Sequence, residues 1–144
     1  EIVDMPEGSE IVKADFFNST NFSSSGFSNS ITNRSFYATT KNANAYLLYK
    51  SYFSGIDTKD VGNICIRIWS SIDSKMKILF SLDDSTTLND DRSSQLYDVH
   101  IGMNTFIIPV SDLNGWDEGT LKYFRINPIN DIGDFEIDYI ALAN

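Results

Sequence analysis

The chain has 144 residues, 42% hydrophobic and 22% charged, which fits one globular domain with one core. Its 11 Lys and Arg face 20 Asp and Glu, a net charge of −9, so phosphate backbones and anionic lipid surfaces are repelled and no nucleic-acid partner is expected. No apolar run approaches the roughly 20 residues needed to cross a bilayer, so no membrane insertion is expected.

Helical periodicity is nearly absent, and Ala is scarce. Short runs of period 2, rich in β-branched and aromatic residues, recur instead between Gly, Asn, Asp and Ser clusters. In chain order, strands are expected at Ile11 to Phe17, Ser35 to Thr40, Ala45 to Phe53, Asn63 to Ser70, Lys75 to Leu82, Gln95 to Ile101, Thr105 to Val110, Leu121 to Asn127 and Phe135 to Leu142. Asn63 to Ser70 sets Ile64, Ile66 and Ile68 on one face and Cys65, Arg67 and Trp69 on the other. Lys75 to Leu82 puts Met76, Ile78, Phe80 and Leu82 together, and Leu121 to Asn127 opposes Leu121, Tyr123 and Arg125 to Lys122, Phe124 and Ile126.

Two polar stretches, Asn18 to Asn33 and Asp83 to Ser94, read as surface loops. About nine strands at this spacing predict an all-β, two-sheet antiparallel sandwich spanning residues 1–144 as a single domain. The chain starts at Glu1 without Met or signal segment and stops directly after a strand-like run, so it reads as a piece of a longer protein, tethered to other domains.

Catalytic constellations are poorly represented. His100 is the single histidine and no Gly-x-Ser-x-Gly elbow accompanies it, which argues against a Ser-His-Asp hydrolase. One His and one Cys are too few for a zinc site, and no Gly-rich phosphate loop is present. Twenty acids make some carboxylate pair inevitable, so their number says nothing for a glycosidase. No enzymatic activity is expected. Cys65 has no disulfide partner in the chain and, inside an apolar run, reads as a small buried hydrophobe.

The C-terminal third is the most distinctive. It runs Thr105-Phe-Ile-Ile-Pro-Val-Ser, then Trp116-Asp-Glu-Gly-Thr-Leu-Lys-Tyr-Phe-Arg-Ile-Asn-Pro128, then Gly133-Asp-Phe-Glu-Ile-Asp-Tyr-Ile140. This resembles the end of jelly-roll carbohydrate-binding modules attached to secreted polysaccharide-active enzymes such as glycoside hydrolases. Ile64-Cys-Ile-Arg-Ile-Trp69 and Lys77-Ile-Leu-Phe80 are similar to the paired middle strands of those modules. The likeness covers the last two-thirds of the chain. It departs in one additional residue between Trp116 and Gly119, and in Asn127 where the modules carry Asp.

The resemblance implies a jelly roll outside the cell or on a bacterial cell surface, binding an oligo- or polysaccharide without catalysis. The alternative is a structural or protein-interaction sandwich within a larger surface or glycan-active protein.

Sugars offer apolar C–H faces to aromatic rings and hydroxyls to planar polar groups. By strand parity, Trp69 and Arg67 oppose the Ile64, Ile66 and Ile68 face, and Tyr123 with Arg125 is a second aromatic–guanidinium pair at the same spacing. Trp116 and Tyr49 complete the candidate ligand set, with Tyr46, Tyr52, Tyr97 and His100 as additions. The same modules commonly hold a structural calcium through an Asp of the "Ile-Asp-x-Ile" element, here Asp138, and Glu10 and Asp15 are candidate co-ligands because calcium needs several oxygens.

Overall fold

A computed structural model describes residues 10–14, 22–32, 35–49, 55–83 and 88–143. The strands are β1 (Glu10–Ala14), β2 (Phe22–Ser25), β3 (Phe27–Thr32), β4 (Phe36–Thr40), β5 (Tyr46–Tyr49), β6 (Ile56–Asp57), β7 (Asn63–Ser70), β8 (Ser74–Ser81), β9 (Tyr97–Val99), β10 (Gly102–Pro109), β11 (Thr120–Leu121), β12 (Tyr123–Asn127) and β13 (Asp134–Ala143). Every pairing among them is antiparallel.

One sheet has the order β10-β7-β13-β4-β3, with β1 also paired to β13; the other has the order β2-β5-β12-β8-β9. The molecule is therefore a two-sheet antiparallel sandwich, as the strand spacing predicts. The alternation of apolar residues explains why the layers meet as they do. Ile64, Ile66 and Ile68 of one sheet and Met76, Ile78, Phe80, Phe124 and Ile126 of the other turn inward and are fully buried. Burying each such side chain contributes about 1.5–3 kcal/mol. Phe27, Phe36 and Phe135 close one end of the core, with ring centroids 5.2–6.0 Å apart.

Three expectations change. Asn18 to Asn33 is not a plain loop, since it contains β2 and β3, which lie in different sheets. The chain crosses between layers at Gly26, whose φ of +84° suits glycine, and a Cβ there would meet Ala45 at 3.0 Å. Ser23, Ser24 and Ser25 are exposed, so this edge strand shows no apolar period. Leu121 to Asn127 is not one strand. It breaks at Lys122, whose backbone N–H donates to the Ser81 carbonyl at 2.9 Å, so Leu121 enters the core while Tyr123 and Arg125 face out. Ile56–Asp57 forms a short strand with Thr120–Leu121 that was not anticipated.

Cys65 is buried, in a small second cluster with Tyr139, Ala141 and Ala143, and burial raises its thiol pKa, which leaves it unreactive. Asp15 to Phe17, and residues 50–53 of the expected third strand, lie outside the described residues.

Candidate functional site

The outer face of the five-stranded sheet is built by parity. On β12, Phe124 and Ile126 point into the core, so Tyr123, Arg125 and Asn127 form a row on the outside. β8 sets Ser81, Leu79 and Lys77 directly opposite that row, and β5 sets Leu48 opposite Arg125. The Arg125 guanidinium carbon lies 4.1 Å over the centre of the Tyr46 ring, a cation–π stack. Its Nε–H donates to Asn127 Oδ1 at 2.9 Å. The aromatic ring and the amide thus fix the guanidinium in one place. Partial burial lowers the Arg125 pKa, and the Tyr46 hydroxyl opposes that shift.

Next to this stack the face is polar and held by ion pairs. Lys75 pairs with Asp98 of β9, and Lys77 with Asp90. The Lys75 ammonium, by hydrogen bond and charge, holds the Asp98 carboxyl below its ordinary pKa. Asp90 sits in a single 3₁₀ turn, Asp90–Arg92, opened by Asn89, whose Oδ1 accepts from the Asp91 N–H at 2.9 Å. Ser94 ties the segment after that turn to β8, donating its N–H to the Ile78 carbonyl at 2.9 Å. The Asp83 to Ser94 stretch is thereby folded back along β8, in its described part.

The result is a groove of about 350 Å³ lined by Ala43, Asn44, Lys75, Lys77, Leu79, Asp90, Leu96, Arg125, Asn127 and Asn130. A second depression of about 520 Å³ adjoins it through Lys75 and Asn130 and reaches Asp73, Asp98, His100 and Asp131. From β5 to β9 this face crosses three strand spacings, about 14 Å.

The two aromatic–guanidinium pairs do not come together. Trp69 and Arg67 sit on the outer face of the six-stranded sheet, where Trp69 stands beside Met103 and Glu136, and Arg67 beside Thr105 and Tyr139. Arg67 is already committed, with Nε 3.7 Å from Asp138 Oδ2, an ion contact rather than a hydrogen bond.

Tyr49 leaves the candidate set: its ring is only 1% exposed and points into the core, as its place three residues after outward Tyr46 requires. Trp116 is a structural anchor. Its indole packs edge-on against Phe80 with centroids 4.9 Å apart, and its Nε1–H donates to the Thr58 carbonyl at 3.3 Å. Tyr97 turns inward against Phe106, with centroids 6.0 Å apart, and burial together with Asp112 raises its pKa. His100 is exposed and lines the second depression. Tyr52 lies outside the described residues.

Of the calcium set, only Asp138 has a described side chain. Asp138 is the additional residue of a β-bulge between Ile137 and Tyr139, and its carboxylate faces the Arg67 cation. Asp15 and the Glu10 side chain lie outside the described residues. Among the described residues, no three His, Cys, Asp or Glu cluster as metal ligands.

Lys75, Lys77 and Asn130 were absent from the sequence-derived set. The two lysines were within reach of the same parity rule, since they alternate with inward Met76 and Ile78. Asn130 comes from a loop, for which periodicity carries no signal.

No protein-family model matches the chain, and no curated protein matches it by sequence. Solved structures match by shape. A mutant of a carbohydrate-binding module of family 29 superposes with a TM-score of 0.62 at 9% identity over 91% of each chain. A mutant of the module CBM29-2, complexed with cellulohexaose, gives 0.62 at 9% identity over 92% of each chain. The agarase AgWH50C gives 0.66 at 10% identity, covering 95% of this chain and 26% of that one. At such identities the likeness is one of fold, and it matches the jelly roll that the C-terminal motifs imply.

Proposed function

We propose that this domain is a non-catalytic carbohydrate-binding module that holds a glycan across the outer face of its five-stranded sheet. The observation that carries this is the Tyr123, Arg125 and Asn127 row of β12, with Arg125 stacked on Tyr46 at the edge of an open groove. Tyr123 offers a ring to an apolar sugar face. Arg125, Asn127, Lys77 and Asn130 offer planar or pointed hydrogen-bonding groups to hydroxyls. Leu79 and Leu96 line the groove with apolar surface that a sugar ring dehydrates on binding.

The match to domains of this shape, one of them complexed with cellulohexaose, supports the reading. The domain is further proposed to work tethered to other domains, outside the cell or at its surface. In support, the region matching it in AgWH50C is 26% of a longer chain.

The affinity for one glycan chain is modest, since a single exposed stacking contact contributes only about 0.5–1 kcal/mol. The test is a glycan screen followed by calorimetry. Arg125→Ala weakens the best glycan by about tenfold, equivalent to about 1.4 kcal/mol, and Tyr123→Ala, which removes one stacking contact, weakens it by about two- to fivefold. If no glycan binds, the domain is a structural or protein-interaction sandwich instead.

A further inference from the structure

The charge of the groove runs against that of the chain. Three of the 11 basic residues, Lys75, Lys77 and Arg125, line it, with Asp90 as the only carboxylate among the described lining residues, while the chain as a whole carries −9. Two of those cations are matched, Lys75 by Asp98 and Lys77 by Asp90. Arg125 is not: among the described residues no carboxylate lies within ion-pair distance of it.

A partly desolvated guanidinium without a counter-charge is costly to keep. It has five N–H donors, and only Nε–H is engaged in a hydrogen bond with a described residue, that to Asn127. The Tyr46 stack holds it in place without neutralising it. The remaining donors form a fork suited to two oxygens of one anionic group.

Given the carbohydrate-binding role proposed above, on which this depends, we infer that the glycan bears an anionic group, a carboxylate or a sulfate ester, seated on Arg125. The chain's negative charge opposes such a ligand only at a distance. Screening confines that repulsion to about 8 Å at physiological ionic strength, whereas the guanidinium acts at contact.

The experiment compares three oligosaccharides by calorimetry on the whole chain: an oligogalacturonate, a sulfated galactan oligosaccharide and neutral cellohexaose. At least one anionic ligand binds about tenfold or more tightly than cellohexaose, and the tighter of the two identifies the group. Its affinity falls about fivefold or more between 0.05 and 0.5 M salt, as screening of a contact ion pair requires. Arg125→Gln erases the preference, and Arg125→Lys, which keeps the charge but not the fork, retains part of it; circular dichroism verifies the fold of each. The salt series on the unmodified chain stands even if a variant does not fold.

If cellohexaose binds as tightly as both anionic ligands, with no salt dependence, the anionic group is refuted and the carbohydrate-binding role survives. If none of the three binds and a wider glycan screen is also empty, both fall.

Discussion

Trp69 of β7 and Arg125 of β12 stand on opposite outer faces of the sandwich, with both sheets and the core between them. The sheets pack about 10 Å apart, so their outward side chains are farther apart still and one glycan bound flat on a face reaches only one of them. Trp69→Ala therefore leaves glycan affinity within about twofold, because distant sites act independently. A loss of tenfold or more in a titration of this variant moves the site to the six-stranded face.

Trp116 separates structure from binding in a different way. Its indole is wedged against Phe80 and its N–H holds the Thr58 carbonyl, where the Thr58 hydroxyl also donates to the Asp117 carbonyl at 2.7 Å. Trp116→Ala lowers stability by about 3 kcal/mol, the lower end for large aromatic truncations because the ring is only half-buried. Chemical denaturation reads this change. Glycan affinity of the folded fraction stays unchanged, and a selective loss of affinity at full stability contradicts the anchoring role.

Asp138 is the partner of Arg67, whose side chain is 24% exposed against 46% for the carboxylate. A pair this open contributes little, so Asp138→Asn lowers stability by about 0.5 kcal/mol. Chemical denaturation of the two proteins reads this drop, and a loss of about 2 kcal/mol or more contradicts so weak a pairing.

The Asp98–Lys75 pair carries a pH dependence of defined sign. The carboxyl pKa is lowered in the folded state, so the pair favours folding above the unfolded carboxyl value of about 3.9 and loses that effect as pH falls through the lower folded value. Between pH 5 and 8 it contributes no slope. Carbon-detected NMR titration of Asp98 gives a midpoint below the ordinary aspartate range, and Lys75→Met brings it back up. An unchanged midpoint in that variant shows that Lys75 is not the cause.

The strands whose apolar residues alternate were legible from the sequence. Asn63 to Ser70 falls on β7 residue for residue, since Ile64, Ile66 and Ile68 have only one face to bury. The Ser-rich β2 and β3 were not legible, because edge strands held by backbone hydrogen bonds impose no apolar period on their side chains. At the site, the spacing marked Tyr123 with Arg125 as a pair like Arg67 with Trp69, but gave no way to tell which sheet carries either pair. It also missed Tyr49, whose ring follows Leu47 into the core, because a four-residue strand of apolar and aromatic residues has no polar face to set its phase. The Arg125–Tyr46 stack joins residues 79 positions apart and required the register of β5 on β12.

The most direct test of the account is a ¹⁵N–¹H chemical-shift titration with the tightest glycan found. Perturbations are predicted to cluster on Tyr46, Lys77, Arg125, Asn127 and Asn130, with the backbone around Arg67, Trp69, Met103 and Glu136 silent. Shifts concentrated on that second group, with the Arg125 side-chain resonance unmoved, contradict it.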